Sequence, residues 1–427
     1  MSTKKLTLLF FYPSQPKEVS ASRVHITEVL NNITLNGHTV IYANGKRHQV
    51  QELNKMITNN QLNLNHRNYH KTNKILRIPL LWVKKVLLKY LYGEMAIASY
   101  IYTEIKLFVL SLVTVIKHRP DLIYRRHSAL AGEILLARIF DIPVINEVNG
   151  IIIDEIRISN RADGLSRKII NYLETQKFQK ADRYIVVTSK MRDVLKKDYF
   201  VPKSKITFVE NGANTSLFKP SNKTVAKNQL GLCESNNYLC FIGTLSRYQG
   251  IDIFIKALPV ILREGKNTVA LIVGDGEIKD EINKLITQLE LTNYVELSGK
   301  VPYTQVPLFI NASEICVAPF IGERNQRIGL SPLKIYEYLA CGKPVVASKI
   351  KGIEMLEQIN AGNLVPPGDI QEFSNTILNL LKNPDLCKAM GENGRNWVVK
   401  NHSWEVVSQK VIDVCVNTVE LYTQRHQ

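Results

Sequence analysis

Apolar runs alternate with amphipathic stretches along most of the chain. Residues 6–12 form a continuous apolar run closed by Pro13, the pattern of a strand buried on both faces of a parallel sheet. After a loop through Ser20-Ala21-Ser22, the positions Val24, Ile26, Val29, Leu30, Ile33 and Leu35 carry helical spacing. Gly37 ends that helix and residues 38–42 read as the next strand. The unit recurs, with strands expected at 121–124, 144–146, 184–188 and 206–209 and helices at 129–140, 165–180 and from Ser189 onward. Near 218–220 the pattern breaks into the polar run SNKTVAKNQ and then restarts. Strands follow at 239–242, 270–273, 295–297, 315–319, 345–347 and 363–365, and a last helix at 403–423. Strand–helix alternation, twice over, predicts an α/β protein of two doubly wound parallel-sheet domains facing a cleft.

Two segments stand apart from this rhythm. Residues 44–74 are polar, poorly periodic and rich in Asn, His, Lys and Gln, and read as a loop with short helical pieces. Residues 75–92 mix Leu, Ile, Val, Trp82 and Tyr90 with Arg77, Lys84, Lys85 and Lys89. Such a helix suits a membrane interface, or a core position from which the lysines reach water, and both readings stand. A second helical run follows at 94–117.

The stretch 327–348, RIGLSPLKIYEYLACGKPVVAS, concentrates the candidate chemistry. Ser331-Pro332 reads as a helix start, with the serine as cap and the proline at the first helical position. Gly342 is expected in a left-handed conformation after the helix, and Pro344 stops continuation. A Lys near a helix N-terminus opposes the helix dipole unless an anion is also present, so Lys334 and the free N–H groups together suit a phosphate. Glu337, three residues on, falls on about the same face and suits hydrogen bonds from ribose hydroxyls. An ordinary capped helix with solvated Lys and Glu is the competing reading. Elsewhere, the turn 243–250 offers glycines that let a backbone approach a phosphate, and Gly274-Asp275-Gly276 repeats that arrangement. Arg125, Arg126, His127 and Ser128 read as a polar turn after a strand, and Asn149 follows the next one. His25 reads as a helix-surface residue.

A length of 427 residues is ample for two or three domains. Six cysteines without CxxC spacing, mostly in apolar runs, read as buried free thiols in a reducing compartment. The opening MSTKKLTLLFFYP passes straight into a strand-like run and does not read as a signal peptide, and the apolar run 107–116 is too short to span a bilayer. The net charge of +17 is unevenly spread. Residues 1–210 carry 33 Lys and Arg against 17 Asp and Glu, whereas residues 211–427 carry 22 against 21. The asymmetry points to an anionic surface for the first half. Nucleic acid is disfavoured as that surface, because no nucleic-acid module or basic motif interleaved with aromatics is present.

The stretch 327–348 resembles the nucleotide-sugar motif of GT-B fold glycosyltransferases, family 4. That motif has a Glu, seven residues, a second Glu, and then Ala-x-Ala/Cys-Gly-x-Pro-Val. Glu337 matches the second Glu and CGKPVVAS the tail, in the manner of a Ser-Pro-x-Lys-x-x-Glu branch, while Gly329 stands at the first Glu. Gly37-His38 matches the family opening, with Ser20-Ala21 where Gly-Gly is usual, and ADRYIVVTSKMRDVL…KITFVENGANTSLFKP resembles the family hinge. The resemblance implies domains at 1–218 (acceptor side) and 219–402 (donor side), with 403–427 crossing back to the first. It implies donor contacts from Gly243, Thr244, Gln249, Gly274, Val301, Gly329, Leu330, Ser331, Pro332, Leu333 and Glu337. Thr244 and Gln249 stand where the family carries Arg and Lys for the diphosphate, so Lys334 and Arg247 are the candidate replacements. Arg126 or His127, with Asn149, occupy acceptor-side or catalytic positions, Asn149 standing where His is common.

The implied reaction is retaining transfer of a sugar from a nucleotide diphospho-sugar, in cell-surface glycan or glycolipid assembly, with no cofactor and no metal. The implied partners are the nucleotide-sugar donor, a lipid-linked or saccharide acceptor and an anionic membrane surface. The implied location is cytoplasmic, peripheral on the inner membrane face. A catalytically degenerate binding subunit and a sugar-nucleotide epimerase or hydrolase are the alternatives.

Overall fold

A computed structural model of the chain describes residues 5–11, 21–42, 108–126 except 110, 132–151, six positions between 171 and 180, and 181–426 except 266. The expectations for 44–74, 75–92, most of 94–117 and 165–180, and for His127, lie outside the described residues. The first sheet has the order β2-β1-β3-β4-β5-β6 and the second β12-β11-β10-β7-β8-β9. The first comprises β1 (Thr7–Phe11), β2 (Thr39–Tyr42), β3 (Leu122–Arg126), β4 (Val144–Val148), β5 (Arg183–Val186) and β6 (Ile206–Phe208). The second comprises β7 (Asn237–Ile242), β8 (Thr268–Val273), β9 (Val295–Gly299), β10 (Ile315–Ala318), β11 (Val345–Ser348) and β12 (Gly362–Val365).

Every ladder in the two sheets is parallel, with Leu9 opposite Ile41 and Ile123, and Leu239 opposite Ala270 and Ile315. Parallel strands need helical crossovers, which cover both faces and bury the strand residues. Leu8, Leu9, Leu239, Cys240 and Phe241 are accordingly buried. In the second sheet, alternate residues of β7 face opposite layers. Tyr238, Cys240 and Ile242 pack with helix Leu333–Ala340, whereas Leu239 and Phe241 pack with helix Ile251–Glu264.

Two strand ends differ from the sequence expectation. Arg125 and Arg126 belong to β3 and not to a turn. Arg125 is fully buried, its Nε 2.6 Å from Glu133 Oε1 on the next helix, Gly132–Ile139. Ladder bonds to β4 and an internal carboxylate carry the strand past a residue whose charge suggested solvent. β4 likewise runs on through Glu147 and Val148.

Helix Pro384–His402 ends at an extended Ser403, and helix Trp404–His426 begins at once. Ala213 N–H donates to His402 O at 2.9 Å, and Trp404 N–H donates to Ala213 O at 3.1 Å. Trp404, Val407, Val411, Cys415 and Val419 then pack with Leu8, Phe10, Val24 and Leu30 of the first sheet's layer. Trp404 is 1% exposed. Trp404→Ala is therefore expected to destabilise the chain by roughly 3–5 kcal/mol, the usual cost of a large aromatic-to-alanine change in a core. Urea unfolding followed at the first domain checks this, and a midpoint within error of the unmodified chain counts against the helix as a core element.

Candidate active site

In the second sheet the chain enters at β7 and the order reverses between β7 and β10, so helices leave these neighbours on opposite faces. The space beyond their carboxyl ends is where an open parallel sheet receives a ligand. The floor of that space is glycine. Gly243 and Gly274 have φ of +146° and +144°, and a Cβ on Gly274 would lie 1.8 Å from Gly243 O. Only glycine permits that backbone approach. Gly243 N–H donates to Val273 O at 3.0 Å, and Gly274 N–H to Gly299 O at 2.8 Å.

Lys334 lies over this floor. Its Nζ donates to Gln249 Oε1 at 2.7 Å and sits 4.0 Å from the Phe241 ring centroid and 5.3 Å from that of Phe320. A Cβ on Gly243 would fall 2.8 Å from it. The fold thus brings Lys334, Gly243 and Gln249 into one group. Burial lowers the Lys334 pKa to about 7, partly offset by the negative charge of Glu337. One turn along, Glu337 Oε1 accepts from Tyr303 Oη at 2.8 Å. Burial raises its pKa to about 7 against the opposing effects of Tyr303 and Lys334. Tyr303 follows the edge strand β9, and only its place after Val301-Pro302 signalled it in the sequence.

The helix start differs from the expectation. Pro332, not Ser331, occupies the capping position, and no side chain caps helix Leu333–Ala340. Ser331 lies one residue too early for its oxygen to serve the first turn. Its Oγ accepts Asn211 N–H at 3.0 Å and its carbonyl accepts Asn211 Nδ2 at 2.6 Å. The first-turn N–H groups of this helix are therefore left without a side-chain cap beside a buried ammonium, the arrangement that suits an anion. Gly342 takes the expected left-handed conformation, φ +69°, beyond the far end.

Gly329 has φ +72° and ψ −179°, a region that only glycine occupies readily. A Cβ there would stand 3.2 Å from Thr188 Cβ and 3.3 Å from Lys190 Cβ, both on the first domain. Thr188 Oγ1 also donates to Ile328 O. The loop that leads to Leu330 and Leu333 is thus held by the opposite domain. Arg247 is set apart from this group: it is exposed and pairs with Glu281 at 2.8 Å. Thr244 is exposed, and Val301 is half-buried.

On the first domain the side chains converge on Glu147, which the sequence reading passed over. Tyr124 Oη donates to Glu147 Oε2 at 2.5 Å, and Asn149 Nδ2 donates to Oε1. His25 Nε2 is 2.8 Å and Arg126 Nη1 3.7 Å from Oε1. Burial alone would raise the Glu147 pKa, but His25, Arg126 and the Tyr124 hydroxyl hold it well below the usual carboxylate range. His25 is buried at 7% exposure and is not a helix-surface residue. It lies on the inward face of helix Ala21–Leu35, edge-on to Trp404.

A family model described as "Glycosyl transferases group 1" matches residues 222–397, and one described as "Glycosyltransferase Family 4" matches residues 99–217. The alpha-D-kanosaminyltransferase of Streptomyces kanamyceticus is 23% identical over 264 residues, 61% of this chain and 66% of that relative. The chain spans about half to two thirds of the length of curated relatives of this kind. Among solved structures, the sucrose-phosphate synthase of Thermosynechococcus elongatus superposes with a TM-score of 0.69 at 17% identity, covering 96% of this chain and 98% of its own. The Anabaena HepE protein in complex with UDP superposes at 0.68 and 18% identity, covering 97% and 100%. At such identities the likeness is one of fold.

The Lys334 environment sets an expected pH dependence. An anion at the helix start binds the ammonium form, so above pH 7 the site must take up a proton to bind it. With UDP as probe, affinity is expected to fall as pH rises above about 7, by up to about tenfold per unit. Lys334→Arg, charged throughout, should flatten that limb. Calorimetry across this range checks it, and a flat profile in the unmodified chain refutes it.

Proposed function

The chain belongs to the group 1 glycosyltransferases of the GT-B fold, and from that premise we propose that it transfers a sugar from a nucleotide diphospho-sugar to an acceptor hydroxyl. The observation that carries the reading is the Lys334 ammonium, held between Gly243 and Gln249 at an uncapped helix start with Glu337 one turn on. When the bond between the anomeric carbon and the diphosphate breaks, negative charge grows on the diphosphate oxygens. A preorganised cation and backbone N–H groups stabilise that charge more than the bound donor. Glu337 is the residue for ribose hydroxyls, and Gly274 and Val301 border the nucleotide. The reading assigns the charge on the diphosphate to these groups, with no resident metal. Relatives named as a kanosaminyltransferase and as D-inositol 3-phosphate glycosyltransferases, and a neighbour crystallised with UDP-glucose, support a nucleotide-sugar donor and a hydroxylated acceptor. Retention of configuration is the family's usual outcome and is proposed here on that resemblance.

Lys334→Ala is expected to lower kcat about 10²–10³-fold while raising KM less, the pattern of a lost transition-state contact. Arg247→Ala, whose side chain pairs in solvent with Glu281, should stay within a fewfold. The test is product analysis with a panel of nucleotide sugars, with and without acceptor. Product only when an acceptor is present supports transfer. Acceptor-independent breakdown points to a hydrolase or epimerase, and nucleotide binding without turnover to a binding subunit.

The acceptor side carries a second part of the proposal: docking on an anionic membrane, in the assembly of a surface glycan or glycolipid. Val109, Val113 and Ile116 are 52%, 59% and 59% exposed at a spacing that shares one helix face. Leu135, Ile139 and Phe140 are exposed nearby, on and just after helix Gly132–Ile139, with Lys117, Arg119 and Arg138 also exposed around them. Apolar anchors with cations beside them suit an anionic lipid surface, with the exposed Asp141 next to Phe140 as an opposing charge. No helix among the described residues is long and apolar enough to cross a membrane. Co-sedimentation with phosphatidylserine vesicles should be strong at low salt, weaken at high salt, and drop with Ile116→Glu and Ile139→Glu combined. Absence of binding at low salt refutes the docking.

A further inference from the structure

The two halves of the site are joined through one imidazole ring. His25 Nε2 faces Glu147 Oε1 at 2.8 Å, and Nδ1 faces Asn211 Oδ1 at 2.7 Å. The Asn211 amide is fixed in this orientation because its Nδ2 donates to Ser331 O at 2.6 Å. Oδ1 is therefore an acceptor for the ring at Nδ1, and the other ring nitrogen lies against the Glu147 carboxylate. Asn211 closes the chain of bonds, since its own backbone N–H donates to Ser331 Oγ at 3.0 Å. A continuous run of close polar contacts passes from Glu147 at the carboxyl end of β4, 2.8 Å from His25 Nε2, through the hydrogen bonds of His25 Nδ1 and the turn at Asn211, to the loop that begins helix Leu333–Ala340.

We propose that His25 is a positioning residue: it ties the acceptor-side Glu147 group to the donor-side loop 329–333 through Asn211 and so sets the two faces of the cleft in register. The inference rests on the transferase reading for its kinetic consequence but not for its structural one. His25 is buried, and its polar partners are Glu147 and Asn211. Its influence on the donor passes through Asn211 and Ser331. Replacing the ring by one of the same shape without ring nitrogens leaves Asn211 Oδ1 without this partner, while Glu147 keeps Tyr124, Asn149 and Arg126. The Asn211 amide is then held from one side only, and its Nδ2 bond to Ser331 O weakens while the backbone bond to Ser331 Oγ remains.

Glu147 and Arg126 lie at the ends of β4 and β3, Tyr124 lies within β3, and Trp404 opens the last helix. Among the described residues, His25 lies between Glu147 and the turn at Asn211, which bonds to Ser331.

The test compares the full chain with His25→Phe and with His25→Gln by hydrogen exchange, and then by kinetics. Exchange of peptides covering 329–333, on the opposite domain, is expected to rise about tenfold or more in His25→Phe. Peptides of β7 and β8 should keep their protection, which reports an intact second domain. If His25→Phe fails to fold, His25→Gln, which keeps an N–H donor, supplies the same reading with a smaller rise. In turnover assays the donor KM should rise several-fold more than the acceptor KM, a split that a general loss of folded protein does not produce. Unchanged exchange at 329–333 overturns the proposal and confines His25 to the Glu147 group. A chain that turns over no nucleotide sugar counts against the transferase reading, while the exchange measurement alone still decides the link.

Discussion

An ammonium group taken out of water is costly unless something nearby favours its charge. Lys334 is in that position, with a single amide oxygen and two aromatic faces as near neighbours and Glu337 one turn away. Its pKa falls toward 7 because burial outweighs these contacts. The helix start beside it carries no side-chain cap, the glycine floor lies below it and the loop is held from the opposite domain, an arrangement that suits an anion. The site gathers positive charge and free backbone donors at one place, which favours an anionic group over a neutral one.

That arrangement depends on backbone geometry as much as on charge. Gly274 must be glycine for β7 and β8 to end against each other, and this close approach is what lets the Lys334 side chain lie across the strand ends. Gly329 stands in a conformation that a glutamate would occupy only under strain, against Thr188 and Lys190. At this position, contact between domains occupies the space that a longer side chain would need.

The first domain contributes a different kind of group. Glu147 is saturated by Tyr124, Asn149, His25 and Arg126, so it organises these side chains and has little capacity to act as a base. Arg126 and Asn149, two residues singled out from the sequence, are brought together there by a carboxylate that the sequence reading placed just past the strand and that the structure places within it. The last helix completes the arrangement by placing Trp404 against His25 and sealing the first sheet's layer.

The sequence by itself determined the layered fold. Continuous apolar runs broken by Gly and Pro specify buried parallel strands, and the break near 220 followed by a restart specifies two sheets, because burial periodicity is a local property. It also specified the Lys334–Glu337 spacing and the left-handed Gly342, since both depend on one turn of one helix. What only the tertiary structure decided are partnerships across distance. His25 meets Asn211 across 186 positions, and Asn211 meets Ser331 across 120. Those pairings turned a presumed helix cap into a joint between domains and a presumed surface histidine into a buried one. Arg247 and Lys334 looked alike as replacement cations, yet one pairs with Glu281 in solvent and the other lies buried against Gln249. No periodicity carries that information, because it depends on which strand ends the closed sheets bring within reach of each other.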